Sequence, residues 1–217
     1  MGEEASQMAS KMPVFSEKIK ICIICEGNEE YAYLDKIKSL NVWNDQYEIF
    51  LDNAGGNGNI PARYQDRYQN NVYELVLIFC DTEKKPYEQY VDIKQKINEF
   101  HGVEIAAEEV IMFANPCTMQ IITKHWTDIN LKSPAKQVNA PLIKEYTKVE
   151  NYKARADQIE AIMEYITAEN YVDMRHRVDR LETMDTVIGS SNFGEFIKLF
   201  ESEDSRWIEE INAKLEG

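Results

Sequence analysis

Apolar and polar positions follow one another along the chain in blocks that predict strands and helices in turn. Residues 21–25 are five consecutive apolar residues, mostly β-branched or Cys, and they predict a strand buried on both faces. Similar runs predict three more strands, at residues 47–51, 75–80 and 110–114. Apolar side chains at three- and four-residue spacing predict the intervening helices, at residues 31–40, 60–70 and 87–100. The predicted fold class is therefore α/β, with a parallel sheet of about four strands flanked by helices.

The remainder of the chain predicts a different kind of structure. A helix is expected to start near residue 117, after the fourth strand. Residues 130–141 are polar, contain two prolines and predict a connection. Beyond it, apolar stripes at helical spacing predict a helical region interrupted at residues 189–192. The predicted organisation is a flexible leader (1–18), an α/β domain (19–130) and a helical C-terminal extension packed on or beside it (131–217).

The charge balance narrows the classes of partner. The chain has 217 residues and carries 38 acidic against 24 basic residues, a net charge of −14. Phosphate backbones repel such a surface unless a local basic patch or bound divalent cations reverse the field. This balance argues against a simple nucleic-acid clamp, but it leaves room for a metal-dependent nuclease.

The positions of the cysteines and the lengths of the apolar runs indicate the cellular compartment in which the protein is expected. The four cysteines lie in or beside apolar strands, where Cys behaves as a small hydrophobic residue. Cys22 and Cys25 are three apart on one strand, so their side chains point to opposite faces and cannot hold one ion. No apolar run approaches the roughly 20 residues that cross a bilayer. We therefore expect a cytoplasmic protein that does not enter a membrane.

Carboxylates follow two of the predicted central strands. Glu26 ends the first, and Asp81 and Glu83 end the third. Carboxyl ends of parallel strands meet at one edge of a sheet, where open α/β sheets place their ligands. Asp81 and Glu83 would share one side of an extended segment and make a site for a hard divalent cation. Alternatively, Glu26 only favours the start of a helix, and residues 84 and 85, both lysines, neutralise the other two.

Two other features suggest phosphate binding, each with a simpler alternative. The glycine-rich loop at residues 52–59 precedes a predicted helix but lacks the spacing of a phosphate-binding motif and a phosphate-binding Lys. Arg63 and Arg67 lie four apart on that helix, so they face the same way. They either meet a phosphate or pair with Asp66 and other acids nearby.

Three short motifs, in this order, resemble those of the Toprim-like nucleases, and within them the small RloB-like proteins associated with phage defence and restriction loci. The first is Cys25-Glu26-Gly27-Asn28-Glu29-Glu30-Tyr31-Ala32-Tyr33, which matches at Glu26, Gly27, Glu30 and Tyr33. The second is Phe79-Cys80-Asp81-Thr82-Glu83, and the third is Asn115-Pro116-Cys117 with His125 eight residues later. The resemblance covers about residues 19–126 and implies a Toprim-like sheet.

The resemblance implies a Mg²⁺- or Mn²⁺-dependent nuclease acting on DNA or RNA in prokaryotic anti-phage defence. It implies that Glu26 is the general acid or base and that Asp81, Glu83 and Glu26 face the metal. Further candidate catalytic residues are Glu30 and His125. The candidate substrate-binding residues are Gly27, Asn115, Lys124 and Arg63.

The chain departs from the family pattern at several positions. Glu83 stands where Asp is usual, Glu29 replaces Thr, Thr118 replaces Phe and Met119 replaces a Glu that follows the third motif. Met cannot ligate Mg²⁺, so one acidic contributor is absent. The alternative function is therefore a catalytically degenerate module that binds a partner, such as an adjacent ATPase or another defence subunit, through its helical region. Self-association into a homo-oligomer is a further expectation.

Overall fold

A computed structural model describes residues 18–83, 85 and 87–217. Its strands and helices alternate as far as the fourth strand, and helices make up the rest. The four strands are β1 (Ile19–Cys25), β2 (Tyr47–Asn53), β3 (Leu75–Asp81) and β4 (Ile111–Ala114). The helices of this part are α1 (Asn28–Ser39), α2 (Ile60–Gln69), α3 (Glu88–His101), α4 (Ala106–Val110) and α5 (Met119–Ile122). The later helices are α6 (Lys136–Thr147), α7 (Ala156–Met163), α8 (Ala168–Val178), α9 (Phe193–Glu201) and α10 (Arg206–Glu216).

The sheet confirms the predicted α/β class. All four strands are parallel, in the order β2-β1-β3-β4. Every residue of β3 is buried, because right-handed connections place α1 on one face of the sheet and α2 and α3 on the other. On the α1 face, Phe193 packs against Phe79 and Tyr33, at centroid distances of 5.2 and 5.8 Å.

The C-terminal helices pack on the α/β part. α7 packs against α1, α9 against β4 and α10 against α4. Residues just before α9 also cover the outer edge of β4. Ser191 pairs with Ala114, while the Asn192 side chain accepts a hydrogen bond from the Phe113 amide and donates one to the Ile111 carbonyl. A strand edge that would otherwise be open is thereby closed.

Three predicted boundaries differ from the structure. The predicted connection at 130–141 is partly wrong, because α6 starts at Lys136 and contains Pro141. Val110, predicted as strand, ends the short helix α4. The helix expected near residue 117 is the four-residue α5, followed by a 3₁₀ turn over Thr123–His125. The predicted leader lies outside the described residues except for Lys18, and Lys84 also lies outside them.

Among the described residues, no helix is long and apolar enough to cross a membrane.

Candidate functional site

Glu26 and Asp81 lie at the carboxyl ends of two neighbouring central strands, β1 and β3. The chain leaves β1 towards β2 on one side and leaves β3 towards β4 on the other. A crevice forms where the strand order reverses in this way, and open α/β sheets bind their ligands there. The Glu26 amide donates to the Phe79 carbonyl at 3.0 Å, which extends the strand pairing to the first carboxylate.

Three carboxylates converge at this crevice, and a protein donor holds one oxygen of each. Glu26 Oε2 accepts from the Asp81 amide at 2.9 Å. Asp81 Oδ1 accepts from the Thr118 hydroxyl at 2.7 Å, and Glu30 Oε2 accepts from the Gly27 amide at 3.0 Å. The short turn between β1 and α1 therefore sets the positions of Glu26 and Glu30, while the segment after β4 supplies Thr118.

Burial and mutual repulsion make these acids unusually weak. Burial, then the Glu30 charge, raise the pKa of Glu26 to about 8, against the opposing hydrogen bond from the Asp81 amide. Burial, then the charges of Glu30 and Glu26, raise the pKa of Asp81 well above its ordinary value. Burial also raises the pKa of Glu30, although a hydrogen bond with Thr118 opposes it. At neutral pH the crevice therefore retains protons unless a cation replaces them.

Glu83 lies at the rim of the crevice rather than inside it. Its side chain is exposed, whereas that of Asp81 is buried, and Glu83 has a left-handed φ of 57°. The extended geometry predicted from Asp81 to Glu83 is therefore wrong. The charge of Glu83 nevertheless contributes to the raised pKa of Glu26, so the two carboxylates are close enough to interact.

Two carboxylates of the crevice have the oxygen donors that a hard cation takes. Among the described residues, no three His, Cys, Asp or Glu side chains form a group that could hold a metal ion. Within the same residues, no donor hydrogen-bonds to Glu26 Oε1 or Asp81 Oδ2, so each carboxylate keeps one oxygen available. Mg²⁺ is usually held by one or two carboxylates together with waters and substrate phosphates. Glu26 and Asp81 fit that pattern.

A second network, which the sequence did not predict, borders the crevice. Glu29 forms an ion pair with Lys136 of α6, and it accepts a hydrogen bond from the Tyr152 hydroxyl at 2.6 Å. Burial opposes the charge of Lys136, but Glu29 outweighs burial and raises the pKa of the lysine, which stays cationic. Glu29 thus connects α1 to the C-terminal region.

The structure does not bring His125 and Lys124 to the carboxylates by any direct contact. The His125 ring nitrogens lie 3.1 Å from the Tyr33 hydroxyl and 2.8 Å from Asn170 Oδ1, and burial lowers the pKa of His125 to about 4. Lys124 is fully buried, and its ammonium donates to the carbonyls of Asp128 and Ile129. Both side chains hold the segment after β4 in place, which leaves neither free for a substrate.

The other predicted contact residues are spread over the molecule. Gly27 lies in the crevice, with its amide committed to Glu30. Asn115 is buried; its amide group donates to the Tyr87 hydroxyl and the Asp185 carbonyl, and among the described residues its side-chain oxygen has no partner. Arg63 is exposed on α2.

Four further features of the sequence can be placed in the structure. Arg67 pairs with Asp52 at 2.7 Å and with Asp66 at 3.3 Å, as the simpler alternative expected. The glycine-rich loop lies against the crevice, because the Gly56 amide donates to the Glu26 carbonyl at 2.8 Å. Met119 is fully buried, and the hydroxyl of its neighbour Thr118 donates to Asp81. The four cysteines are buried thiols.

Comparisons with models of known protein families, with curated proteins and with solved structures found no match.

Proposed function

We propose that the protein is a Mg²⁺- or Mn²⁺-dependent phosphodiesterase that cleaves nucleic acid at the crevice between β1 and β3. The observation that carries this proposal is the pair of available carboxylate oxygens on Glu26 and Asp81, at the point where the strand order reverses. A bound cation would stabilise charge that develops on phosphate oxygens. The resemblance to RloB-like proteins supports the choice of nucleic acid as substrate and a role in anti-phage defence.

Glu26, Asp81 and Thr118 have different roles in the proposed reaction. Glu26 moves the proton, because the Asp81 amide holds it beside the second carboxylate and a positioned carboxylate can transfer a proton at a reacting phosphate. Asp81 offers its free oxygen to the cation, and the Thr118 hydroxyl fixes its orientation. The Asp81 amide fixes Glu26 in the same way, so both carboxylates are positioned before the substrate arrives. The proposal includes a cytoplasmic location, which suits four buried thiols.

The alternative function is a non-catalytic module that binds a partner protein. Met119 favours it, since this buried thioether occupies the position of a family acid. The net charge of −14 favours it as well, because it opposes contact with phosphate backbones.

Cleavage assays distinguish the two functions. Supercoiled plasmid and total RNA are incubated with the protein in Mg²⁺, in Mn²⁺ and in chelator. We expect metal-dependent cleavage that falls about 100-fold or more in Glu26→Gln and in Asp81→Asn. The matched control is Glu48→Gln, which removes an exposed carboxylate on β2 and should leave cleavage unchanged. Cleavage unaffected by either crevice variant would contradict the proposal. Absence of both cleavage and Mn²⁺ binding would favour the partner-binding module.

A further inference from the structure

A cleft with basic walls lies beside the carboxylate crevice. It is formed by α6 and by the loop at residues 148–154, and it has a volume of about 600 Å³. Its described lining residues include Lys136, Lys144 and Lys153 but no Asp or Glu. In a chain with a net charge of −14, such a surface is where an anion would meet least repulsion.

Two residues of the cleft contact a side chain that neighbours the crevice. Lys136 and Tyr152 both line the cleft, and both bind the Glu29 carboxylate. Glu29 directly precedes Glu30 of the crevice, and the charge of Lys136 lowers the pKa of Glu26 slightly. These contacts place the cleft beside the first turn of α1, which carries Glu29 and Glu30.

Two lysines of the cleft are available to a ligand. Lys144 pairs with Glu150 at 2.7 Å, but the two side chains are 57% and 64% exposed. A pair this exposed contributes little, so a phosphate can replace Glu150 at small cost. Lys153 is exposed, and no described carboxylate forms an ion pair with it.

The loop that forms one wall of the cleft is held in an unfavourable backbone conformation. Three of its residues, Lys148, Asn151 and Ala154, have φ values of 60°, 50° and 56°. At Lys148 this conformation ends α6, and Asn adopts it readily, whereas at Ala154 it is disfavoured and is of the kind found at ligand sites whose surroundings impose it. Here the buried side chain of Gln158 imposes the shape: it donates to the carbonyls of Glu150 and Asn151 and accepts from the Lys153 amide.

We propose that this cleft binds the phosphate backbone of the nucleic-acid strand that enters the carboxylate crevice, through Lys144 and Lys153. Lys136 stays with Glu29 and connects the two sites. Because the strand is taken to be the substrate of the crevice, this inference rests on the function proposed above.

Binding measured without cleavage tests the cleft separately from the chemistry. Fluorescein-labelled single-stranded oligonucleotides are titrated with the full chain in chelator, over a range of salt concentrations. The test variant is Lys144→Gln/Lys153→Gln. The matched control is Lys198→Gln/Lys214→Gln, which removes two exposed lysines, each held in one ion pair on the C-terminal helices.

We expect the test variant to bind about tenfold or more weakly than wild type at ~0.1 M salt, and the control to bind like wild type. The slope of log affinity against log salt should fall by about 1.4 in the test variant, since each lost single-strand contact contributes about 0.7. A test variant that binds like the control, or a wild type that binds no oligonucleotide, would overturn the cleft assignment. Labelled polyglutamate bound as tightly as the oligonucleotide would also overturn it, and would indicate an acidic protein ligand.

The experiments distinguish a wrong assignment of the cleft from a wrong assignment of the phosphodiesterase activity. Oligonucleotide binding that depends on the two lysines, without cleavage in Mg²⁺ or Mn²⁺, would support the cleft as a binding site and contradict the proposed phosphodiesterase activity. Cleavage that is lost in Asp81→Asn but unchanged in the double-lysine variant would support the phosphodiesterase activity and contradict the assignment of the cleft as a binding site.

Discussion

Glu26, Glu30 and Asp81 are held in the crevice by hydrogen bonds that favour their charged forms, yet the pKa of each is raised. The donors are the Asp81 amide, the Gly27 amide and the Thr118 hydroxyl. Burial and the neighbouring carboxylates outweigh these donors. The crevice thus holds the carboxyl groups in fixed orientations and disfavours their charged forms, and a divalent cation would relieve this cost.

The first prediction concerns the pH dependence of stability. An acid whose pKa rises from 4.5 to about 8 on folding binds more protons in the folded chain across that range. The contribution of Glu26 to the free energy of unfolding should therefore fall as the pH rises from about 5 to 9 in chelator. Glu26→Gln should be more stable than wild type at pH 9 by about 1 kcal/mol or more, since one pKa unit corresponds to about 1.4 kcal/mol. Urea unfolding at pH 6 and pH 9 measures this difference.

The exposed Glu48→Gln is the control for that prediction and should track wild type at both pH values. Added Mn²⁺ should restore the wild-type stability at pH 9 more than it affects Glu26→Gln. Equal wild-type stability at pH 6 and pH 9 in chelator would show that Glu26 does not titrate in this range.

At the residue scale, the sequence predicted the contact that depends on the order of the strands. It did not predict the contacts that join α1 to the C-terminal region. The meeting of Glu26 and Asp81 follows from two parallel strands that end at one sheet edge. The bonds from Glu29 to Lys136 and Tyr152 span 107 and 123 positions, and no local pattern marks such contacts. His125 was predicted to be catalytic from a motif, and burial of its ring could not be read from the sequence spacing.

At the element scale, the strands were predictable because a strand covered on both faces is an unbroken apolar run. α6 was missed because Pro141 normally interrupts a helix, since it lacks a backbone N–H. In α6 the buried residues Asn139, Ile143 and Thr147 lie on one face at four-residue spacing, so packing stabilises the helix despite the proline. The sequence alone gives the cost of the proline but not the packing that offsets it.

The second prediction concerns the loop at residues 148–154. Gln158→Ala removes three hydrogen bonds to that loop and should lower the free energy of unfolding by about 2–3 kcal/mol. Gln69→Ala, at an exposed position that ends α2, should change it by less than about 0.5 kcal/mol. Hydrogen exchange of the Lys153 amide should accelerate in Gln158→Ala only. Unchanged exchange at Lys153 would mean that Gln158 does not hold the loop.

At the scale of the whole molecule, the α/β part and the helical C-terminal extension share one hydrophobic core. The Trp207 indole of α10 donates to the Tyr47 hydroxyl of β2 at 2.9 Å. Phe200 of α9 stacks on Trp43, and its carbonyl accepts from the Asn44 amide at 2.9 Å. These contacts join the start of β2 to the last two helices, so the C-terminal region is needed to complete the α/β part.

The third prediction follows from that shared core. Unfolding in urea should give one transition, with coincident midpoints for far-ultraviolet circular dichroism and for tryptophan fluorescence. Trp207→Ala should lower the free energy of unfolding by about 3–5 kcal/mol and shift both signals together, because a buried aromatic side chain is removed from the contact between the regions. Lys198→Gln, at an exposed position on α9, is the control and should leave both midpoints in place. Two separated transitions, with only one shifted by Trp207→Ala, would instead show that residues 19–130 and 131–217 fold independently.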